Sequence, residues 1–189
     1  MKIAIVFRYL GLLLLLLSGL MLIPFGVSVF YQEPDQLPFL MSASITATVG
    51  AALWYCTRQP MPPLQRKESF VVVAMAWLLA SAFGALPYML AGTFSSYIDA
   101  YFEAMSGFTT TGASVLTDIE AQPQGILFWR NFTQWIGGLG IIALFLGLMP
   151  KVRLGGAGAS SLFEDEVSGP QVDRMTPRIR DTARALWRT

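Results

Sequence analysis

Four apolar blocks, each close to the length a helix needs to cross a bilayer, constrain this chain more than anything else in it. A spanning helix takes roughly 20 residues. The blocks run from about Tyr9 to Phe30, Pro38 to Cys56, Ser69 to Leu90 and Phe128 to Met149. The first contains Leu12 to Leu17 without a break. It exceeds the roughly 7–15 apolar residues of a secretory signal, and no Ala-x-Ala cleavage site follows it. It therefore reads as a retained helix, with Pro24 near its outer end predicting a kink. Ser42, Ser44, Thr46 and Thr48 fleck the second block. Their hydroxyls suit bonds back to the helix or across to a neighbour. Composition agrees: 54% of residues are hydrophobic and 13% charged, against about a quarter charged in soluble domains.

Charge then orients the blocks. Lys2 and Arg8 precede the first; Arg58, Arg66 and Lys67 separate the second from the third. Lys151, Arg153, Arg174, Arg178, Arg180, Arg184 and Arg188 follow the fourth. The other two loops carry Glu33 and Asp35, then Asp99, Glu103, Asp118 and Glu120, with no Lys or Arg before Arg130. Basic residues gather on the cytoplasmic side of membrane proteins, so both termini are expected inside and the acidic loops outside. Arg130, alone on the outer side, is expected to snorkel or to pair with a loop carboxylate.

The loop between the third and fourth blocks carries the chemistry. Ile98 to Phe108 is apolar, aromatic and too short to span. Thr109-Thr110-Thr111-Gly112-Ala113-Ser114 follows, and then a polar return through Asp118, Glu120, Gln122 and Pro123. That is the pattern of a re-entrant half-helix and an extended climb back out. Irregular backbone at membrane depth is tolerated where it lines a water-filled path or is buried in protein. A surface-lying amphipathic helix is the alternative. A cation filter of backbone carbonyls needs consecutive residues aimed at one axis. Threonine suits an extended stretch, and its hydroxyl adds an oxygen; glycine accepts positive φ. Thr110, Thr111 and Gly112 meet these needs, with potassium expected on Thr111 and Gly112. Thr109, Ala113, Ser114, Glu103 and Arg130 are expected to support them, Glu103 by bonding backbone amides or Arg130 from behind rather than by touching the ion, which is its alternative role. A half-helix ending near Gly107 would turn its negative end toward the ion. Asp118 and Glu120 would concentrate cations at the rim.

Other features have plainer readings. Gly137, Gly138 and Gly140 suit close helix packing better than a hinge. Trp54, Trp77, Trp129 and Trp135 suit packing or interface anchoring. Cys56 stands alone and reads as inert. With no histidine, no nucleophile elbow and no phosphate loop after a strand, an enzyme is not expected, nor is a cofactor. A net charge of +1 gives no reason to expect nucleic acid.

The run Phe102-Glu103-Ala104-Met105-Ser106-Gly107-Phe108-Thr109-Thr110-Thr111-Gly112-Ala113-Ser114 resembles the first pore loop of the TrkH/KtrB family of bacterial potassium uptake proteins. Arg130 to Gly140, with its Trp135-Ile136-Gly137-Gly138-Leu139-Gly140, is similar to the segment that follows it, and the tail with Gly169-Pro170 and Thr176-Pro177-Arg178 to the linker toward a second repeat. The resemblance implies four linked helix–pore–helix repeats around one ion path, with Gly112 the filter glycine of the first. It also implies a cytoplasmic nucleotide-binding regulator, TrkA, as partner.

The expected fold is thus an all-α integral membrane protein with four transmembrane helices, one re-entrant pore helix and a filter loop. Residues 1–60 form a preceding helix pair, 61–150 the first repeat, and 151–189 a cytoplasmic linker with the start of a second repeat. The expected setting is a bacterial inner membrane, with lipid and either the remaining repeats or further copies of the chain as neighbours. The chain is expected to be the N-terminal portion of a longer protein, inactive alone because it brings a quarter of a filter. Two rivals remain: a homotetrameric cation channel, and a pore-less structural or regulatory subunit.

Overall fold

The structure, a computed structural model, describes residues 3–57 and 66–148. The basic loop residue Arg58 and the linker and tail from Lys151 onward lie outside them. Six helices follow in order: α1 (Ile3–Tyr31), α2 (Gln36–Cys56), α3 (Arg66–Gly84), α4 (Leu86–Leu90), α5 (Tyr97–Phe108) and α6 (Gln124–Leu148). Three stretches among the described residues are long and apolar enough to cross a membrane: Ala4–Tyr31, Gln36–Cys56 and Glu68–Leu90. The fourth sequence block as far as Leu148 lies within α6, a helix of 25 residues, and its last residue, Met149, lies outside the described residues.

The α1–α2 hairpin is set by two glycines. A Cβ on Gly11 would sit 2.9 Å from the Gly50 carbonyl oxygen, and one on Gly50 3.0 Å from the Gly11 carbonyl oxygen. Small residues let helix backbones approach this closely. At the C-terminal end of α1 Gln32 takes φ 56°, so that Gln32 N donates to Val29 O and Glu33 N to Ser28 O. That pairing is the Schellman closure of a helix C-terminus. The four hydroxyls of α2 turn inward to their own helix. Ser42, Ser44, Thr46 and Thr48 each donate to the carbonyl four residues back, at 2.7–2.8 Å.

The helix starts that differ most from those read in the sequence are those of α1 and α6. α1 begins at Ile3 rather than Tyr9 and takes in Arg8. The Arg8 guanidinium lies 4.7 Å from the Trp54 ring centroid and donates to Thr57 O at 3.2 Å. A charge so partnered can sit inside a helix. α6 begins at Gln124 rather than Phe128, which puts Arg130 inside the helix rather than at its entrance. The third span is also broken once, at Ala85, because Pro87 has no N–H to offer the carbonyl of Phe83.

Trp129 is the hub of the core and is fully buried. Its indole N–H donates to Gly84 O at 3.0 Å, and its ring meets Phe39 and Phe108 edge-on, with centroids 6.4 and 6.2 Å away. One side chain of α6 thereby touches α2, α3 and α5. α5 runs for 12 residues, roughly 18 Å at 1.5 Å each, against a hydrocarbon core of about 30 Å. Ser96 caps it by accepting from Ile98 N at 3.2 Å.

Candidate functional site

The end of α5 dictates the conformation of the loop after it. Thr110 N donates to Gly107 O and Thr111 N to Ser106 O, both at 2.9 Å. This is again a Schellman closure, and it places Thr110 where glycine is the usual occupant. Thr110 has φ 57°, a left-handed conformation that is an outlier for a β-branched residue. Gly112, two residues on, has φ 74°, which costs glycine nothing. Thr111–Leu116 has no regular secondary structure, and Thr110–Ser114 is exposed.

The carbonyls divide into two groups. Thr109 O accepts from the Thr110 hydroxyl at 2.7 Å, and Ala113 O from the Ser106 hydroxyl at 2.6 Å. Between them the carbonyls of Thr110, Thr111 and Gly112 accept no hydrogen bond among the described residues. The Thr109 hydroxyl donates to Met105 O at 2.7 Å and lies 2.8 Å from that of Thr111. Since its proton is taken, Thr111 is the donor of that contact.

Glu103 holds the far side of the loop. Its carboxylate accepts from Arg130 Nε at 2.7 Å, from the Ser114 hydroxyl at 3.0 Å and from Val115 N at 3.1 Å. Glu103 is 3% and Arg130 18% exposed at the side chain. A buried carboxylate is stable only when its lone pairs are engaged. α5 supplies Glu103, α6 supplies Arg130, and the loop supplies Ser114 and Val115, so one group ties three segments together. Asp118 and Glu120 lie exposed beyond them, and the Asp118 carboxylate accepts from Ala121 N at 3.2 Å.

The structure also uses residues that the sequence did not single out for the site. Ser106 is buried and braces the loop through both its hydroxyl and its carbonyl. It lies three residues after Glu103, on the same face of α5, and that spacing was the available signal. Thr133, three residues after Arg130, donates to Arg130 O at 2.8 Å and packs against Gly107, where a Cβ would overlap its hydroxyl.

Gly137 is a packing glycine. A Cβ there would overlap the backbone of Phe108, including its carbonyl. Gly138 has only Thr110 Cγ2 near, at 3.9 Å, and Gly140 has Trp77 at 3.4 Å. Overpacking usually costs about 1–3 kcal/mol. At Gly137 the obstacle is backbone that cannot rotate away, so Gly137→Ala is expected at or above about 3 kcal/mol. Gly138→Ala, which gains helix propensity, should be neutral or mildly stabilising. Thermal unfolding of the two variants in detergent checks this, and equal melting points would show that α5 and α6 are not in close contact.

Comparison with known proteins places this geometry in context. The family model described as TrkH, Cation transport protein, matches residues 38–189. The chain is 38% identical over 189 residues to the Trk system potassium uptake protein TrkH of Halomonas elongata, covering 99% of this chain and 39% of that protein. It is 37% identical over 182 residues to TrkH of Escherichia coli K12, covering 95% of this chain and 37% of that one. The crystal structure of the potassium transporter TrkH from Vibrio parahaemolyticus superposes with a TM-score of 0.79 at 34% identity, covering all of this chain and 36% of that one. The chain therefore spans between a third and two fifths of the length of these relatives.

Proposed function

The chain belongs to the TrkH family of cation transport proteins, and from that premise we propose that it supplies the first of four filter strands to a potassium uptake pathway. The observation that carries this is the run of free carbonyls. Among the described residues Thr110, Thr111 and Gly112 keep theirs unbonded while the carbonyls on either side are occupied. Potassium sheds its water to oxygens held in advance, and oxygens already engaged by protein donors are poor replacements. Glu103, Arg130, Ser114 and Ser106 hold the strand from behind, so its outline is kept without using the three free oxygens.

On this reading residues 1–60 are a preceding helix pair, 61–150 the first helix–pore–helix repeat and 151–189 a linker to the next. α6 crosses the membrane as the fourth span, and α5 re-enters it from outside. The relatives matched are Trk system potassium uptake proteins, which supports potassium as the transported ion, a bacterial inner membrane as the site, and a TrkA-type regulator as the cytoplasmic partner. The two acidic outer loops and the basic flanks support cytoplasmic termini.

One strand offers a quarter of the coordination shell, so the 189 residues by themselves are expected to give no selective uptake. Potassium flux in a bacterial strain without its own uptake systems tests this. Restoration is expected when the segment is joined to three further repeats. Selective restoration by the 189 residues alone would replace this reading with a self-assembling channel.

A further inference from the structure

Asp35 stands at the N-cap position of α2 but makes no side-chain cap bond there. It is 1% exposed, and both its carboxylate oxygens lack a hydrogen-bond partner among the described residues. A buried carboxylate without donors is costly, so some other group should answer it. The group it faces is the first turn of α6. A Cβ on Gly125 would overlap Asp35 Oδ2 and the Ser28 hydroxyl, so the carboxylate lies directly against the Gly125 backbone.

That turn has the complementary deficit. The first N–H groups of a helix have no partner inside it. Leu127 N reaches Pro123 O, but Gln124, Gly125 and Ile126 donate no bond from the backbone among the described residues. Gly125 and Ile126 are buried, so water does not serve them. The Ser28 hydroxyl is already spent on Pro24 O at 3.0 Å. Unbonded N–H groups at the start of α6 thus meet two unbonded carboxylate oxygens.

We propose that Asp35 is a tertiary N-cap for α6, reaching from the start of α2 to fix the helix that carries Arg130 and Gly137. Gly125 is the opening that admits it, since any side chain there would push the carboxylate away. The preceding helix pair thereby acts as a positioning element for the loop, through α6 and the Glu103–Arg130 ion pair. The effect on selectivity rests on the filter reading above; the cap itself does not.

The test uses the intact transporter that contains this segment, with potassium and sodium uptake normalised to protein in the membrane and melting temperature measured in detergent. A lost N-cap is worth about fivefold in an equilibrium. Asp35→Ala and Gly125→Ala are each expected to lower the melting temperature and to reduce potassium-over-sodium selectivity by about that factor. Asp35→Asn keeps an equally good capping acceptor and is expected to match the parent in both. If Asp35→Asn is as impaired as Asp35→Ala, the charge rather than the acceptor is needed, and the cap is overturned in favour of a cation or proton site. If Asp35→Ala matches the parent in melting temperature, the cap is overturned outright. Lower melting temperatures with unchanged selectivity would keep the cap and refute its link to the loop. Should Gly112→Ala also leave selectivity intact, the fault lies with the filter reading.

Discussion

Glu103→Ala is expected to destabilise the α5–loop–α6 unit by about 3 kcal/mol, near the lower end of what breaking a buried ion pair costs. Removing the carboxylate strands the Arg130 guanidinium, which is 18% exposed and so only partly able to recover water. Ser114 and Val115 are exposed and can turn to solvent, which is why the upper end is not expected. Glu103→Gln keeps the shape but puts an amide NH₂ among three donors, and should fall between parent and alanine. The decisive measurement is a double-mutant cycle on unfolding free energy. Glu103→Ala with Arg130→Ala should cost well under the sum of the two single changes, because the second removes the stranded charge. Additive costs would mean that the pair does not couple α5 to α6.

Gly112→Ala is expected to act on selectivity rather than on folding. The position has φ 74°, and an L-residue there costs about 1–2 kcal/mol. Nothing lies within 4 Å of an added Cβ, so within this chain the penalty comes from the backbone alone. The strand should relax away from its shape, turning the Thr111 and Gly112 carbonyls. Since about 1.4 kcal/mol is a factor of ten, the intact transporter should lose about tenfold or more of its preference for potassium over sodium. Competitive uptake of the two ions in membrane vesicles measures it. An unchanged ratio would remove Gly112 from the ion path.

Hydropathy made much of the fold legible, because a bilayer leaves helices few alternatives. The break at Ala85 was less visible: an apolar window runs through Pro87 without a dip, and only the missing N–H marks the site. Arg8 misled in the other direction. A charge suggests a helix boundary until Trp54 and Thr57, some 50 residues on, are known to receive it. Within the site, Gly112 could be anticipated because positive φ favours glycine. Thr110 could not, since a β-branched residue at positive φ runs against local preference and is held there by the closure of α5. Likewise the fit of Gly137 to Phe108 depends on how two helices cross, which periodicity alone does not encode.

The hydroxyl ladder of α2 bears on how the chain enters the membrane at all. α2 is the least apolar of the three candidate spans, and four free hydroxyls would make it a poor substrate for the lipid phase. Each is instead bonded to its own backbone, so α2 can be handed from the translocation channel to lipid with these four hydroxyls already partnered. The matched glycines at Gly11 and Gly50 then let the strongly apolar α1 retain it. The α1–α2 pair is therefore a unit whose packing is complete before α5 and the loop after it have been synthesised.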